Sequence, residues 1–259
     1  MSGKPGADAA GRTAALPPAN WPPEWLERLP HARTQLWRGV EAQHLAATMK
    51  LIDSAAEQAI LEDLLEASKP PLPADARVAP PAAAPHYLLF TPFRYVSRWP
   101  SRFRPPNAPG IWYGAETLSA ACAEIGYWRW RFVMDSEALR GQSVLTEHTF
   151  FQASAAGPMV DLTAEPWRAL ESAWMHPSDY GACQAIAESA RAAHAAWIRY
   201  RSVRDPAHGP CGAVLELAAL ALGDLTRQQT WVCKTTASTV LMRPLGGANP
   251  AEPLEFTFA

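Results

Sequence analysis

The sequence has little of what marks several large functional classes. No stretch approaches eighteen consecutive apolar residues, so no membrane-spanning helix is expected. Lys and Arg total 23 against 25 Asp and Glu, a formal charge of −2. The clustered basic excess of a nucleic-acid binder is therefore absent at the level of the whole chain. Four cysteines, Cys122, Cys183, Cys211 and Cys233, stand far apart, with no Cys-x-x-Cys pair and no histidine at zinc-finger spacing. Neither a metal site nor a disulfide framework is expected from them; buried free thiols in a reducing cytoplasm are. A phosphate-binding P-loop and a glycine-rich dinucleotide fingerprint are both missing. No Gly-x-Ser-x-Gly elbow surrounds Ser202, which disfavours a serine hydrolase. The opening MSGKPGADAAGRTAALPPAN lacks the apolar centre of a secretory signal, and a cytoplasmic protein is expected.

What is present suits a globular chain. Of 259 residues, 48% are hydrophobic and 19% charged, ample for one buried core. Residues 1–20 carry almost no large apolar side chain and read as a disordered tail. Residues 21–259 read as a single domain, interrupted by a proline-rich surface connection over 69–85. Helices are expected as a short turn at Pro22–Leu26, then over 53–68 with Ser54 and Glu57 in capping-box register, 117–132, 163–174 with Thr163 as cap, and 179–195. Strands are expected over 35–40, 87–90, 111–113, 144–151, 197–201, 212–217, 231–234 and 239–243. Helices and strands mix without a β-α-β rhythm, so the class is α+β rather than a doubly wound sheet. The helix rim of Tyr127, Trp128, Trp130 and Phe132 exceeds what one helix face buries alone, and points to a homodimer or another protein contact.

Chemistry concentrates in SRFRPPNAPGIWYGAETLSAACAE, where Arg102, Tyr113 and Glu124 follow one another at steps of eleven residues across a loop, a strand and a helix. A second polar cluster, Tyr200-Arg201-Ser202-Val203-Arg204-Asp205, follows a strand-like run. Arginine forks match phosphate oxygens, an aromatic ring orients a substrate ring, and a carboxylate favours a cationic ribose. Together these groups read as one site for an anionic ligand. His44 and His148 could each act as a base, but neither has a partner motif.

This set resembles the RES (Arg-Glu-Ser) domain family, whose members include bacterial toxins that destroy NAD+. Ser101-Arg102-Phe103 looks like the family's turn, Ile111-Trp112-Tyr113-Gly114-Ala115 like its strand end, Ala121-Cys122-Ala123-Glu124 like its helix, and Ser202 like its serine. The family's first arginine is Arg38, which has the strand context, or Arg94, which lies nearer the turn; the context favours Arg38. Two departures stand out: Ser101 replaces a turn glycine, and more than sixty residues separate Arg38 from Arg102. The resemblance implies an ADP-ribosyltransferase-like fold, a mixed β-sheet core with surrounding helices. It also implies a toxin that cleaves the nicotinamide–ribose bond of NAD+, with water or inorganic phosphate as acceptor. NAD+ would then be a consumed substrate rather than a cofactor. The implied catalytic residues are Glu124, Tyr113, Arg38 and Ser202, and the implied substrate-binding residues Arg102, Arg94, Tyr95 and Arg204. A cognate antitoxin is the implied partner. Transfer of ADP-ribose to a protein side chain and a non-catalytic binding module are the alternatives.

Overall fold

The computed structural model describes residues 21–42, 51–71, 86–223, 228–246 and 252–258. The expected tail, most of the proline-rich connection and His44 lie outside them. A 3-10 turn at Pro23–Leu26 precedes β1 (His31–Glu41), followed by α1 (Ala55–Ser68), α2 (Tyr87–Arg94), β2 (Trp112–Ala115), α3 (Leu118–Asp135) and β3 (Val144–Asp161). A 3-10 turn at Trp167–Leu170 leads into α4 (Glu171–Trp174) and then α5 (Gly181–Ala192). The chain ends in β4 (Trp197–Arg201), β5 (Pro210–Val214), β6 (Leu220–Leu222), β7 (Gln229–Thr235), β8 (Val240–Leu245) and β9 (Leu254–Phe256).

These strands form one mixed sheet, as the α+β reading expects. Its order is β1-β2-β5-β4-β3-β7-β8-β9, and β1 also pairs with β3, so the first five strands close into a ring. β3 is the hub. It runs antiparallel to β1 from His148 to Pro158 and to β7 from Val144 to Phe150, antiparallel to β6 at Ala153–Ala155, and parallel to β4 at Met159–Asp161. Its sequence explains this reach. VLTEHTFF is rich in β-branched and aromatic residues, and ASAAG then supplies small side chains where the sheet is covered on both faces.

Strand alternation divides the core into two parts. Leu36, Trp112, Phe151, Trp197 and Val214 face one side together with Leu88 and Leu89 of α2. Phe150, Ile198, Ala213 and Trp231 face the other, beneath α3 and α5. Thr117 caps α3, its Oγ1 accepting from the Ala120 N–H at 3.2 Å. Ala120, Ala121, Cys122, Ala123 and Gly126 are all buried, and their small size seats α3 close to the sheet. Gly39 on β1 completes this close approach, since a Cβ there would collide with the Ile125 side chain and the Phe150 ring. All four cysteines are buried free thiols. Among the described residues no helix is long and apolar enough to cross a membrane.

Two expected elements differ. Residues 87–90, read as a strand, form the start of α2; an apolar run of four has no periodicity that separates strand from helix. Pro92 inside α2 removes the N–H that would pair with the Leu88 carbonyl, and the Trp112 Nε1–H takes that place at 3.2 Å. The helix expected over 163–174 begins only at Trp167. Thr163 does not cap it: its N–H and hydroxyl both donate to Asp161 Oδ1, at 2.9 and 2.6 Å, which holds the chain in a turn.

The turn before β2 is packed against α2 at Gly110, where an added Cβ would lie on the Pro92 carbonyl. Backbone cannot yield as a side chain can, so Gly110→Ala should cost about 1–3 kcal/mol of stability. Urea denaturation of the variant checks this, and an unchanged midpoint would show that the turn moves freely against α2.

Candidate functional site

A cleft of about 350 Å³ opens between α3 and the sheet, lined among others by Arg38 and Gly39 of β1, Tyr113 of β2, Glu124 of α3, Tyr200 of β4, and the loop residues Arg102 and Arg204. Glu124 is the seventh residue of α3, on the edge that looks toward the loop after β4. There Ser202, fully buried, donates its hydroxyl hydrogen to Glu124 Oε1 at 2.6 Å. The direction of that bond is set by the rest of the loop. The Ser202 oxygen already accepts from the N–H groups of Arg204 (3.1 Å) and Asp205 (3.0 Å), leaving its one hydrogen for the carboxylate. Asp205, also buried, closes the loop by accepting from the N–H groups of Ala207 and Gly209.

Burial pushes the Glu124 carboxyl above its ordinary range; the Ser202 hydrogen bond and then the charges of Arg102 and Arg204 pull it partly back. The two arginines are themselves fixed. Arg102 is 9% exposed, and its Nη1 donates to the carbonyls of Trp174 and His176, both at 3.0 Å, while its guanidinium lies 4.8 Å from the Tyr180 ring centroid. Arg204 donates to the Pro177 carbonyl and the Tyr180 hydroxyl and stacks 3.5 Å from the Tyr127 ring centroid. Both therefore grip the segment from Trp174 to Tyr180.

Tyr113 works through its hydroxyl, which bonds Ser101 Oγ at 2.8 Å and accepts from the Phe103 N–H at 3.2 Å. It fastens the tight Ser101–Arg104 turn that carries Arg102. Burial raises its phenol to about 12, so it remains protonated. Arg38 is engaged differently. Its Nη1 donates to the Tyr113 carbonyl at 2.8 Å, its guanidinium lies 5.2 Å from the Trp112 ring centroid, and burial lowers its pKa to about 10. These contacts pin β2 to β1.

The structure thus brings Arg102, Tyr113, Glu124, Ser202, Arg204 and Arg38 around one cleft, and leaves Arg94 and Tyr95 out of its lining. Arg94 is on α2, where it pairs with Glu66 of α1 at 2.8 Å and donates to the Pro70 carbonyl; Tyr95, 40% exposed, follows it. Tyr180, Trp128, Arg129, Glu41 and Tyr200 line the cleft without having been singled out as site residues. Of these only Tyr200 lies in a cluster that the sequence marks, the run Tyr200–Asp205. His148, weighed as a base, also lines the cleft; burial first, and Arg129 second, lower its pKa to about 4.

The family model of the RES domain matches residues 76–236, more than half of the chain. That range holds Arg94, Arg102, Tyr113, Glu124, Ser202 and Arg204 and leaves out Arg38. None of the curated proteins compared matches the chain. Among solved structures, a chain from the crystal structure of the M. tuberculosis MbcT–MbcA toxin–antitoxin complex is similar at a TM-score of 0.45 and 13% identity, over 83% of this chain and 92% of that one.

Ser202→Ala removes the shared acceptor of two loop N–H groups and the donor to Glu124. Stability should fall by about 1–3 kcal/mol, the cost of leaving buried polar groups unpaired. Thermal melts would register it, and a Ser202→Ala protein as stable as the parent would mean that water replaces the hydroxyl.

Proposed function

The chain belongs to the RES domain family, and we propose that it consumes NAD+ by cleaving the bond between nicotinamide and ribose. The observation that carries this reading is the meeting of Glu124, held by Ser202 at 2.6 Å, with Arg102 and Arg204 in one cleft. In the reaction the C1′–N bond breaks with its electron pair going to nicotinamide, which loses its ring charge and departs. Positive charge builds on the ribose ring, and a carboxylate beside it is worth most at that moment. Water or inorganic phosphate then forms the new C1′–O bond, the water's proton passing to solvent. Arg102 and Arg204 supply the positive end for the pyrophosphate, and Tyr113 keeps the Arg102 turn in place.

The family resemblance supports the rest of the proposal: a toxin, acting in the cytoplasm, held inactive by an antitoxin. Incubation of the purified protein with NAD+, with and without phosphate, and identification of products by mass tests the reaction. Free ADP-ribose or its 1″-phosphate names the acceptor, and a mass increase on protein would instead favour ADP-ribosyl transfer. NAD+ left intact over hours would overturn the catalytic reading.

Glu124→Gln keeps shape and the bond from Ser202 but removes the charge. Turnover should fall by something on the order of 10²-fold or more with little change in NAD+ affinity. Because the folded pKa of Glu124 lies above the unfolded one, its protonated form favours the fold, and this contribution is lost as pH rises through the folded value. The glutamine variant should therefore melt no lower than the parent at neutral pH, and a marked loss of stability would point to a structural role instead.

The same shift sets the acid limb of kcat/KM. Activity that needs the carboxylate should decline on acidification at a pH above 4.5, the ordinary value, and this limb should vanish from the residual activity of Glu124→Gln. A kcat/KM profile flat down to that pH in the parent enzyme contradicts the assignment.

A further inference from the structure

The cleft has two chemically different ends. Around Glu124 stand Arg102 and Arg204, two cations against one carboxylate. The other end is built from Trp128, Arg129, Glu41 and His148. Trp128 is four residues beyond Glu124 on α3, on the same face and about 6 Å along the helix axis. Trp128 is 50% exposed although it lines the cleft, so aromatic surface is open to a ligand.

Among the described residues this end carries no net charge. Arg129 and Glu41 neutralise each other in an ion pair of 2.9 Å. His148 faces Glu41 across the β1–β3 ladder, is 2% exposed, and stays uncharged at neutral pH because burial and Arg129 lower its pKa to about 4. Its Nε2 bonds Thr146 Oγ1 at 2.9 Å while Nδ1 has no hydrogen-bond partner, leaving the floor one bond short. The ion pair is itself partly open, with side-chain exposures of 29% for Arg129 and 46% for Glu41. It offers a donor and an acceptor side by side next to an aromatic face.

We propose that the Trp128 end of the cleft is a base-binding subsite, taking a planar heteroaromatic ring that carries an amine or carboxamide on its edge. The ring stacks on Trp128, and its edge donates to Glu41 and accepts from Arg129. A phosphate is disfavoured there because Arg129, the cation lining this end among the described residues, is already paired. The subsite deepens the dinucleotide reading and rests on it for the source of the ring: adenine and nicotinamide both have this chemistry.

Titration calorimetry on the full chain, with AMP, nicotinamide and inorganic pyrophosphate as separate probes, tests the subsite in the parent and in Trp128→Ala. AMP or nicotinamide should bind about tenfold more weakly to the variant, while pyrophosphate binds equally to both. The probe that responds names the base. Trp128→Phe, which keeps a stacking face, should restore most of the lost affinity. Trp128 is half exposed, so the variant should keep the parent's melting temperature, and the comparison is made at that control. If neither ring binds the parent, or if Trp128→Ala binds both rings as the parent does, the subsite is overturned. If a ring responds to Trp128→Ala in a protein that leaves NAD+ intact, the subsite stands and the cleavage reading falls.

Discussion

The hydroxyl of Ser202 is the point on which the site depends. One oxygen accepts from two backbone N–H groups of its own loop and passes its hydrogen to Glu124, 78 residues earlier in the chain. The loop after β4 and the helix α3 are thereby fixed to each other through a carboxylate that burial would otherwise drive toward its neutral form. The two arginines follow from this arrangement: Arg204 begins from the same loop, and Arg102, on the turn fastened by Tyr113, acts on the same carboxylate through its charge. Charge, loop geometry and helix position are one coupled unit.

Much of this was legible from residues that act locally. Thr117 announces the start of α3, and the small residues after it announce a buried helix, so the placement of Glu124 could be argued from sequence. Strand β4 and the burial of the four cysteines were equally open, because patterning alone decides them. Arg102, Tyr113, Glu124 and Ser202 could be grouped from their residue types and spacing and matched to the family, but nothing in that spacing says that a hydroxyl meets a carboxylate.

The remainder depended on partners far away in the chain. The run at 87–90 is helical partly because Trp112 satisfies the Leu88 carbonyl that Pro92 leaves open, a contact no local pattern encodes. Arg94 had the right neighbours for a ligand-binding arginine but an ion pair with Glu66 holds it on another surface. Arg38 was placed on the correct strand and lines the cleft, and the sequence gives no sign that its guanidinium also packs by the Trp112 ring and donates to the Tyr113 carbonyl. The uncharged end of the cleft arises from the register of β1 on β3, which sets Glu41 opposite His148.

The long strand β3 has a further meaning for how the protein comes into being. Its residues 144–150 find their outer partner only in β7, which ends at Thr235, while 148–158 pair with β1 near the amino-terminal side. A chain still emerging from the ribosome therefore carries a hydrophobic, half-paired β3 edge until β7 has been made. Such distant pairings make for slow folding. Ser202 reaches Glu124 late in the same order of events, so a fragment ending before β4 has an incomplete site and an open edge, and synthesis itself delays the moment at which the cleft exists.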